Sequence, residues 1–242
     1  MGNRTFLILL PPSEGKSEGG DASTSWSPHT GTFGSTLGDF RAEIAAHLAA
    51  QKGGNAQLLG VSGKHLERAQ HANRSVVGAP ALPAWQRYTG VVWDHLDLAS
   101  LTVTQRKTAL ARIVIPSGLA GLVTAADPLP DYRLKMGARL TPIGTVSKWW
   151  RDDLTEAFVE FLAGRIVIDL LPQEHRAAID WTRIPSAVRV DLVSKKGDVV
   201  GGHNAKAAKG LLARHLLLSN VDTIAPMVKS FKHPEYSAKV TS

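Results

Sequence analysis

Phe6-Leu7-Ile8-Leu9-Leu10, running at once into Pro11-Pro12-Ser13-Glu14-Gly15-Lys16, is the stretch that decides the fold. Five consecutive apolar residues read as a short strand buried on both faces. The two prolines end it, because each lacks an N–H and fixes φ at about −65°. A hydroxyl, a carboxylate, a glycine and an ammonium then follow within four positions. A buried strand fixes such a loop while the loop faces outward, which is how folds present polar chemistry. The same composition also suits a plain solvated turn.

Two later runs repeat the pattern. Ile113-Val114-Ile115 meets Pro116-Ser117-Gly118, and Ile166-Val167-Ile168-Asp169-Leu170 leads to Pro172 through His175. Helical spacing fills the intervals. Phe40, Ile44 and Leu48 make one stripe over 40–52, which Gly53-Gly54 ends. Further helices are expected over 63–73, 85–98 (with Gly90 inside), 104–111 and 204–218. The clearest covers 145–163, where Val146, Trp150, Leu154, Phe158 and Leu162 share a face. Residues 188–193 and 197–202 read as a strand pair joined by Lys195-Lys196-Gly197. Residues 17–39 and 127–140 read as loops, and the tail after Pro234 as frayed. Strands separated by helices give an α/β fold, a single domain over 1–242 with a mixed sheet flanked by helices.

Composition narrows the function. The chain has 242 residues, 43% hydrophobic and 20% charged, as in an ordinary soluble protein. With no cysteine, disulfides, thiolate metal sites and a Cys nucleophile are excluded. No run approaches the ~18 apolar residues of a membrane span, and the N-terminal run is too short for a signal-peptide core. A cytoplasmic protein without a membrane partner is expected. The net charge of +7 favours polyanionic partners. Yet Lys64, Glu67, Arg68 and Arg151, Asp152, Asp153 mix signs as ordinary solvated helix faces do. The nine histidines offer no i, i+4 pair, so no metal site is expected, and no particular cofactor is implied. Gly-x-Gly-x-x-Gly and the phosphate-loop lysine motif are missing as well.

Three constellations could carry chemistry. Ligands of open α/β sheets collect beyond the carboxyl ends of strands. If the three apolar strands are parallel neighbours, Ser13, Glu14, Lys16, Ser117, Asp169 and Glu174 line one cleft. Tyr132 beside Arg133, in the polar segment 127–137, suits base stacking or phosphate pairing, and equally a structural loop. In the helix from Asn204, the expected N-cap, Lys206 and Lys209 share one edge. Lysines near a helix N-terminus oppose its dipole, a cost that a bound anion offsets; snorkelling heads explain them equally. His203 stands just before this helix.

Taken in order, eight pieces resemble the YaaA peroxide-stress protein family in its short Pro-Pro-Ser-Glu form. They are Leu9 to Lys16; Leu59-Gly-Val-Ser62; Tyr88-Thr-Gly-Val-Val-Trp93-Asp94 with Leu96-Asp97; Ser117-Gly-Leu-Ala-Gly-Leu122; Asp127 with Tyr132-Arg133-Leu-Lys-Met-Gly137; Trp150 through Leu154; Val167-Ile-Asp-Leu170; and His203-Asn204 with Lys206-Ala-Ala-Lys209-Gly210. Three departures mark a divergent member: Pro172-Gln173-Glu174-His175 replaces a Ser and a Tyr, Gly201-Gly202-His203-Asn204 replaces Ser-His-Phe-Asn, and Ala125-Ala126-Asp127 replaces Arg-Pro-x-Asp. The resemblance implies a positively charged cleft, a bacterial cytoplasmic location, protection against hydroperoxide, lowered available iron, and binding of DNA through a helix-hairpin-helix-like element. Here that element is the helix from Thr104 to Arg112 followed by Ile115 to Gly121.

Two functions follow. In the first, DNA or a phosphorylated nucleotide-like ligand is bound by Ser13, Lys16, Tyr88, Trp93, Ser117, Gly118, Tyr132, Arg133, His203 and Asn204, with Lys206 and Lys209 neutralising phosphate. Tyr132 or Trp93 would stack on an exposed base. In the second, an enzyme acts on a nucleotide or nucleoside-like molecule by glycosidic cleavage or lyase chemistry. Glu14 or Glu174 would then be the acid/base, and Lys206 or Lys209 the amine or anion holder. Simple binding of a small anion is a third, plainer possibility.

Overall fold

The computed structural model describes residues 6–197, 200–219 and 223–241. Its strands are β1 (Phe6–Leu9), β2 (Asp21–Ser25), β3 (Pro80–Pro83), β4 (Ile113–Ser117), β5 (Gly121–Thr124), β6 (Pro128–Pro130), β7 (Arg139–Leu140), β8 (Gly144–Thr145), β9 (Ile166–Asp169), β10 (Ala187–Ser194) and β11 (Tyr236–Thr241). Its α-helices are α1 (Gly34–Ala50), α2 (Ala56–Leu59), α3 (Gly63–Arg74), α4 (Ala84–Arg87), α5 (Val91–Leu96), α6 (Val103–Leu110), α7 (Val146–Leu162), α8 (Gln173–Arg176), α9 (Gly202–Leu218) and α10 (Ile224–Lys229).

The main sheet has the order β11-β10-β9-β1-β4-β5. Its four inner strands are parallel, and the edge strands β11 and β5 are antiparallel. This is the mixed α/β architecture read from the sequence. The three apolar runs are adjacent, with Leu9 in register with Val114 on one side and Asp169 on the other. Leu7, Ile8, Leu9 and Leu10 are essentially inaccessible, as continuous apolar strands require when helices cover both faces. α1 and α7 pack on β5, while α9 packs on β10 and β11 and along α5. The face of α7 is the expected one: Val146, Trp150, Leu154, Phe158 and Leu162 are all buried.

Several expectations need correction. The described antiparallel partner of β10 is β11, not residues 197–202. Of that span, Asp198 and Val199 lie outside the described residues, and Gly202 opens α9. The tail expected to fray therefore forms an edge strand. Residues 17–39 contain β2 and the first turns of α1, because Leu37 extends the apolar stripe of α1 by a full turn upstream. The helix expected over 85–98 breaks at Tyr88-Thr89-Gly90, where Gly90 has φ +110°. The break has a partner: Tyr88 forms an antiparallel bridge with Lys16, and Thr89 N–H donates to Gly15 C=O at 3.1 Å. Finally, the segment after α6 is not a helical hairpin. Ser117 and Gly121 face each other across the β4–β5 turn, and the glycines there are buried. N–H groups enclosed in this way cannot cradle an external phosphate.

Candidate functional site

The loop after β1 is held from two sides. On one, residues 15–17 run along 87–89, with Ser17 N–H donating to Arg87 C=O at 2.9 Å. On the other, Glu14 forms ion pairs with Arg133 at 2.6 Å and Lys135 at 2.8 Å. Burial pushes the Glu14 carboxyl up, but the Lys135 hydrogen bond and the Lys135 and Arg133 charges outweigh it and hold it below the ordinary value. Glu14 is therefore a carboxylate at neutral pH and a poor general acid.

Arg133 is in turn placed by Asn73, which is fully buried. The Asn73 amide donates to Gly53 C=O and Arg133 C=O, both at 2.9 Å, and its oxygen accepts from Arg133 N–H at 2.8 Å. Arg133 Nε also donates to Leu59 C=O at 2.8 Å. Replacing Asn73 by Ala strands these partners, and we expect a loss of about 2–3 kcal/mol in urea unfolding. Glu14 should also lose its Arg133 contact, a change visible in the titration of its carboxyl by NMR.

Beneath the loop lies a chain of hydroxyls. Tyr88 OH and Tyr132 OH are 2.9 Å apart, Tyr132 OH and Ser117 Oγ are 2.8 Å apart, and Ala120 N–H donates to Ser117 Oγ at 3.0 Å. Burial raises the Tyr132 phenol to about 12 and the Tyr88 phenol well above its ordinary value, so both stay neutral. Lys16 lies over this pair, its Nζ 4.1 Å from the Tyr132 ring centre and 5.4 Å from that of Tyr88. Its hydrogen bond is to Ser13 C=O at 2.9 Å. Burial lowers the Lys16 ammonium to about 7, with Asp131 opposing the shift.

Three hollows meet at Glu14. A cavity of about 480 Å³ has Lys16, His65, Arg68, Asp131 and Arg133 among its lining residues. A narrow cleft of about 50 Å³ passes between Ser13, Lys135 and Glu174. A groove of about 840 Å³ runs from Ser13 past Trp93 and His175 to Lys206 and Lys209. Glu14 lines all three. Tyr132 and the α9 lysines thus belong to separate hollows joined at this carboxylate.

The groove wall holds two more perturbed groups. Lys209 Nζ donates to Leu170 C=O at 2.8 Å, and burial lowers its ammonium despite the Asp191 charge. His175 is lowered to about 4 by burial, so its ring is neutral near pH 7. Glu174 accepts from Gly137 N–H at 2.8 Å and closes the narrow cleft.

Other candidates lie elsewhere. Ser117 and Gly118 are buried under the floor; Gly118 C=O accepts from the Trp150 indole at 2.9 Å, and a Cβ there would meet Leu134 O at 2.5 Å. Asp169 is 1% exposed, paired with Arg176 and bonded to Leu171 N–H. Tyr88 is buried, and Trp93 lines the groove with its indole N–H on Pro11 C=O at 3.2 Å. Stacking a base on either Tyr132 or Trp93 requires moving what already covers it. The N-cap of α9 is Gly201 rather than Asn204. Asn204 and His203 are exposed outside the three hollows, Asn204 against Glu235 at 3.4 Å. Lys206 is exposed on the groove rim.

Residues that sequence reasoning passed over complete the site. Arg68, read as part of a solvated face, bonds Asp131 at 2.9 Å and Lys16 C=O at 3.0 Å. The i, i+3, i+4 spacing of His65, Arg68 and Ala69 on α3 was the available signal. Arg189 and Asp191 on β10 form the far wall of the groove and pair at 2.8 Å. Nothing in their local sequence distinguishes them. Among the described residues no cluster of three His, Asp or Glu could hold a metal ion, and no helix is long and apolar enough to cross a membrane.

The sequence profile of the peroxide stress protein YaaA matches residues 6–241. The chain is 36% identical over 220 residues to a UPF0246 protein of Corynebacterium glutamicum, covering 88% of this chain and 86% of that one. It is 37% identical over 226 residues to one of Corynebacterium efficiens, with 88% and 86% covered. With a UPF0246 protein of Streptomyces coelicolor it shares 31% identity over 231 residues, 91% of this chain and 86% of the other. A match of this length at this identity settles the relationship: the chain belongs to the YaaA peroxide stress protein family.

Proposed function

We propose that the protein acts in the response to hydroperoxide by binding DNA or a phosphorylated nucleotide-like ligand along the three joined hollows. One observation carries the reading. Lys16, Lys206 and Lys209 face these hollows and, among the described residues, none forms an ion pair, whereas Arg68, Arg133 and Lys135 are neutralised by carboxylates. Cations that line a concavity and form no ion pair suit an anion from outside. The single-domain organisation and cytoplasmic location read from the sequence belong to this proposal.

The test is the salt dependence of binding to a short duplex. With three phosphates neutralised, one by each of these lysines, log Kobs should fall with log[salt] at a slope of about −2.7, or roughly 40-fold between 50 and 200 mM. Lys206→Ala should reduce the slope by about 1 and weaken all sequences alike. Affinity that is flat over that range overturns the reading. The enzyme reading shifts its centre, because Glu14 is held ionised by two cations and Lys206 is exposed. The amine best placed for covalent chemistry is a different one.

A further inference from the structure

We propose that the Lys16 amine condenses with an aldehyde carried on a phosphorylated sugar, and that the cavity between α3 and residues 131–133 holds the adduct. The phosphate half of this proposal rests on the anion-binding reading above; the amine half stands on the geometry of Lys16 itself.

Lys16 stands on the wall shared by the 480 Å³ cavity and the narrow cleft, so its amine is enclosed but borders open volume. The cavity lies within the ~300–1,000 Å³ range of small-molecule sites. The backbone of Lys16 is fixed at the bridge to Tyr88, and Gly15 beside it packs closely on Thr89: a Cβ there would lie 2.8 Å from Thr89 Oγ1. Position is therefore set before any ligand arrives, which removes an entropic cost from the attack. The two carboxylates that could hold Lys16 as an ammonium are engaged elsewhere, Glu14 by Arg133 and Lys135, and Asp131 by Arg68. Tyrosine rings floor the amine, and its titration near neutrality leaves a large neutral fraction at pH 7. A neutral amine in a pocket is a nucleophile, and the electrophile it meets without any co-reactant is a carbonyl. Arg68, Arg133 and His65 line the same cavity, where an incoming phosphate would compete with Glu18, Asp131 and Glu14 for the two guanidiniums.

The step balances. The Nζ lone pair attacks the aldehyde carbon, the C=O π pair moves to oxygen, and that oxygen takes the proton released by nitrogen. The resulting carbinolamine loses its hydroxyl with a solvent proton as water, while the nitrogen lone pair forms the C=N bond. One amine, one aldehyde and one proton give one iminium and one water, with no oxidant or reductant. Oxidative damage yields such aldehydes in two forms, as an abasic site within DNA or as a free sugar phosphate.

The probe is glycolaldehyde phosphate with sodium cyanoborohydride at pH 7, applied to the full chain and read by peptide mass spectrometry. The reduced adduct should form on Lys16 roughly tenfold or more faster than on exposed lysines such as Lys206 in the same sample. Glycolaldehyde without phosphate should label Lys16 several-fold more slowly. A duplex carrying one abasic site provides the second arm: trapping of the duplex alone assigns the DNA source, and trapping of the small probe alone assigns the free sugar phosphate. Lys16→Arg should abolish the adduct while keeping the circular dichroism of the parent. Because exposed lysines serve as the internal reference, the wild-type protein alone can overturn the proposal, by labelling Lys16 no faster than its surface. Equal labelling with and without phosphate overturns the phosphate half. DNA binding that survives without a Lys16 adduct overturns this inference and leaves the previous reading standing; a Lys16 adduct without salt-dependent DNA binding does the reverse.

Discussion

Replacing Arg87 by Ala should destabilise the protein by on the order of 4 kcal/mol and unfasten the loop that carries Lys16. The Arg87 side chain is inaccessible to solvent. Its guanidinium donates to the carbonyls of Leu129 at 3.1 Å, Gly19 at 2.8 Å and Pro80 at 3.2 Å, and to that of Ser17. No carboxylate pairs with it among the described residues, so its hydrogen bonds all go to backbone oxygens, of β3, of β6 and of the segment before β2. Truncation strands four acceptors in the interior at once, each costing about 1–3 kcal/mol before relaxation. Arg87→Met keeps most of the volume and should fare little better, which separates lost hydrogen bonds from a cavity. Equilibrium unfolding in urea measures the first effect. Limited proteolysis measures the second, with new cleavage expected within residues 17–20. A variant within 1 kcal/mol of the parent would contradict this account of the loop.

A comparable loss is expected from Gly210→Ala, at a place the sequence presents as an ordinary helix interior. Alanine normally strengthens a helix by about 1 kcal/mol over glycine. Here the added Cβ would stand 2.3 Å from Val92 O, 2.8 Å from His95 Cβ and 3.0 Å from Leu96 N, so two helix backbones must part. Their contact is also clamped by Arg214, which donates to Leu96 C=O at 2.8 Å, to Asp97 C=O, and to Ser100 Oγ at 2.8 Å. Overpacking against backbone should outweigh the propensity gain and cost about 3 kcal/mol net. For a chain of this size that is a fall in Tm of roughly 6–12 °C. Because α5 carries Trp93 and α9 carries Lys206 and Lys209, the groove should widen as well, read as increased quenching of tryptophan fluorescence. A rise in Tm would show that the helices can separate freely.

The residues themselves explain which parts of this fold are legible. β1, β4 and β9 are unbroken apolar runs punctuated by proline or a polar turn, and no helix period competes with them. α7 declares itself through five apolar positions on one face. What is hidden depends on partners distant in sequence. The break at Tyr88–Gly90 exists because residues 15–17 bridge to it, about seventy positions away. β5 looks like a glycine-rich strand exit until Gly121 is paired with Ser117. β11 alternates only weakly and is recognisable through its register with β10. The site follows the same rule. Glu14, Lys16 and Arg133 stand out because charge interrupts a buried framework, whereas Arg68, Arg189 and Asp191 look like any solvated face until the chain folds over them.

The central position of β1 has a consequence for synthesis. Once synthesised, β1 finds its β9 neighbour only at Ile166, 160 residues after Phe6. At translation rates of ~5–20 residues per second, that wait is roughly 8–30 s. Through that interval the nascent Phe-Leu-Ile-Leu segment has no completed sheet to enter, which makes the newborn chain a natural client for chaperones that grip short apolar stretches.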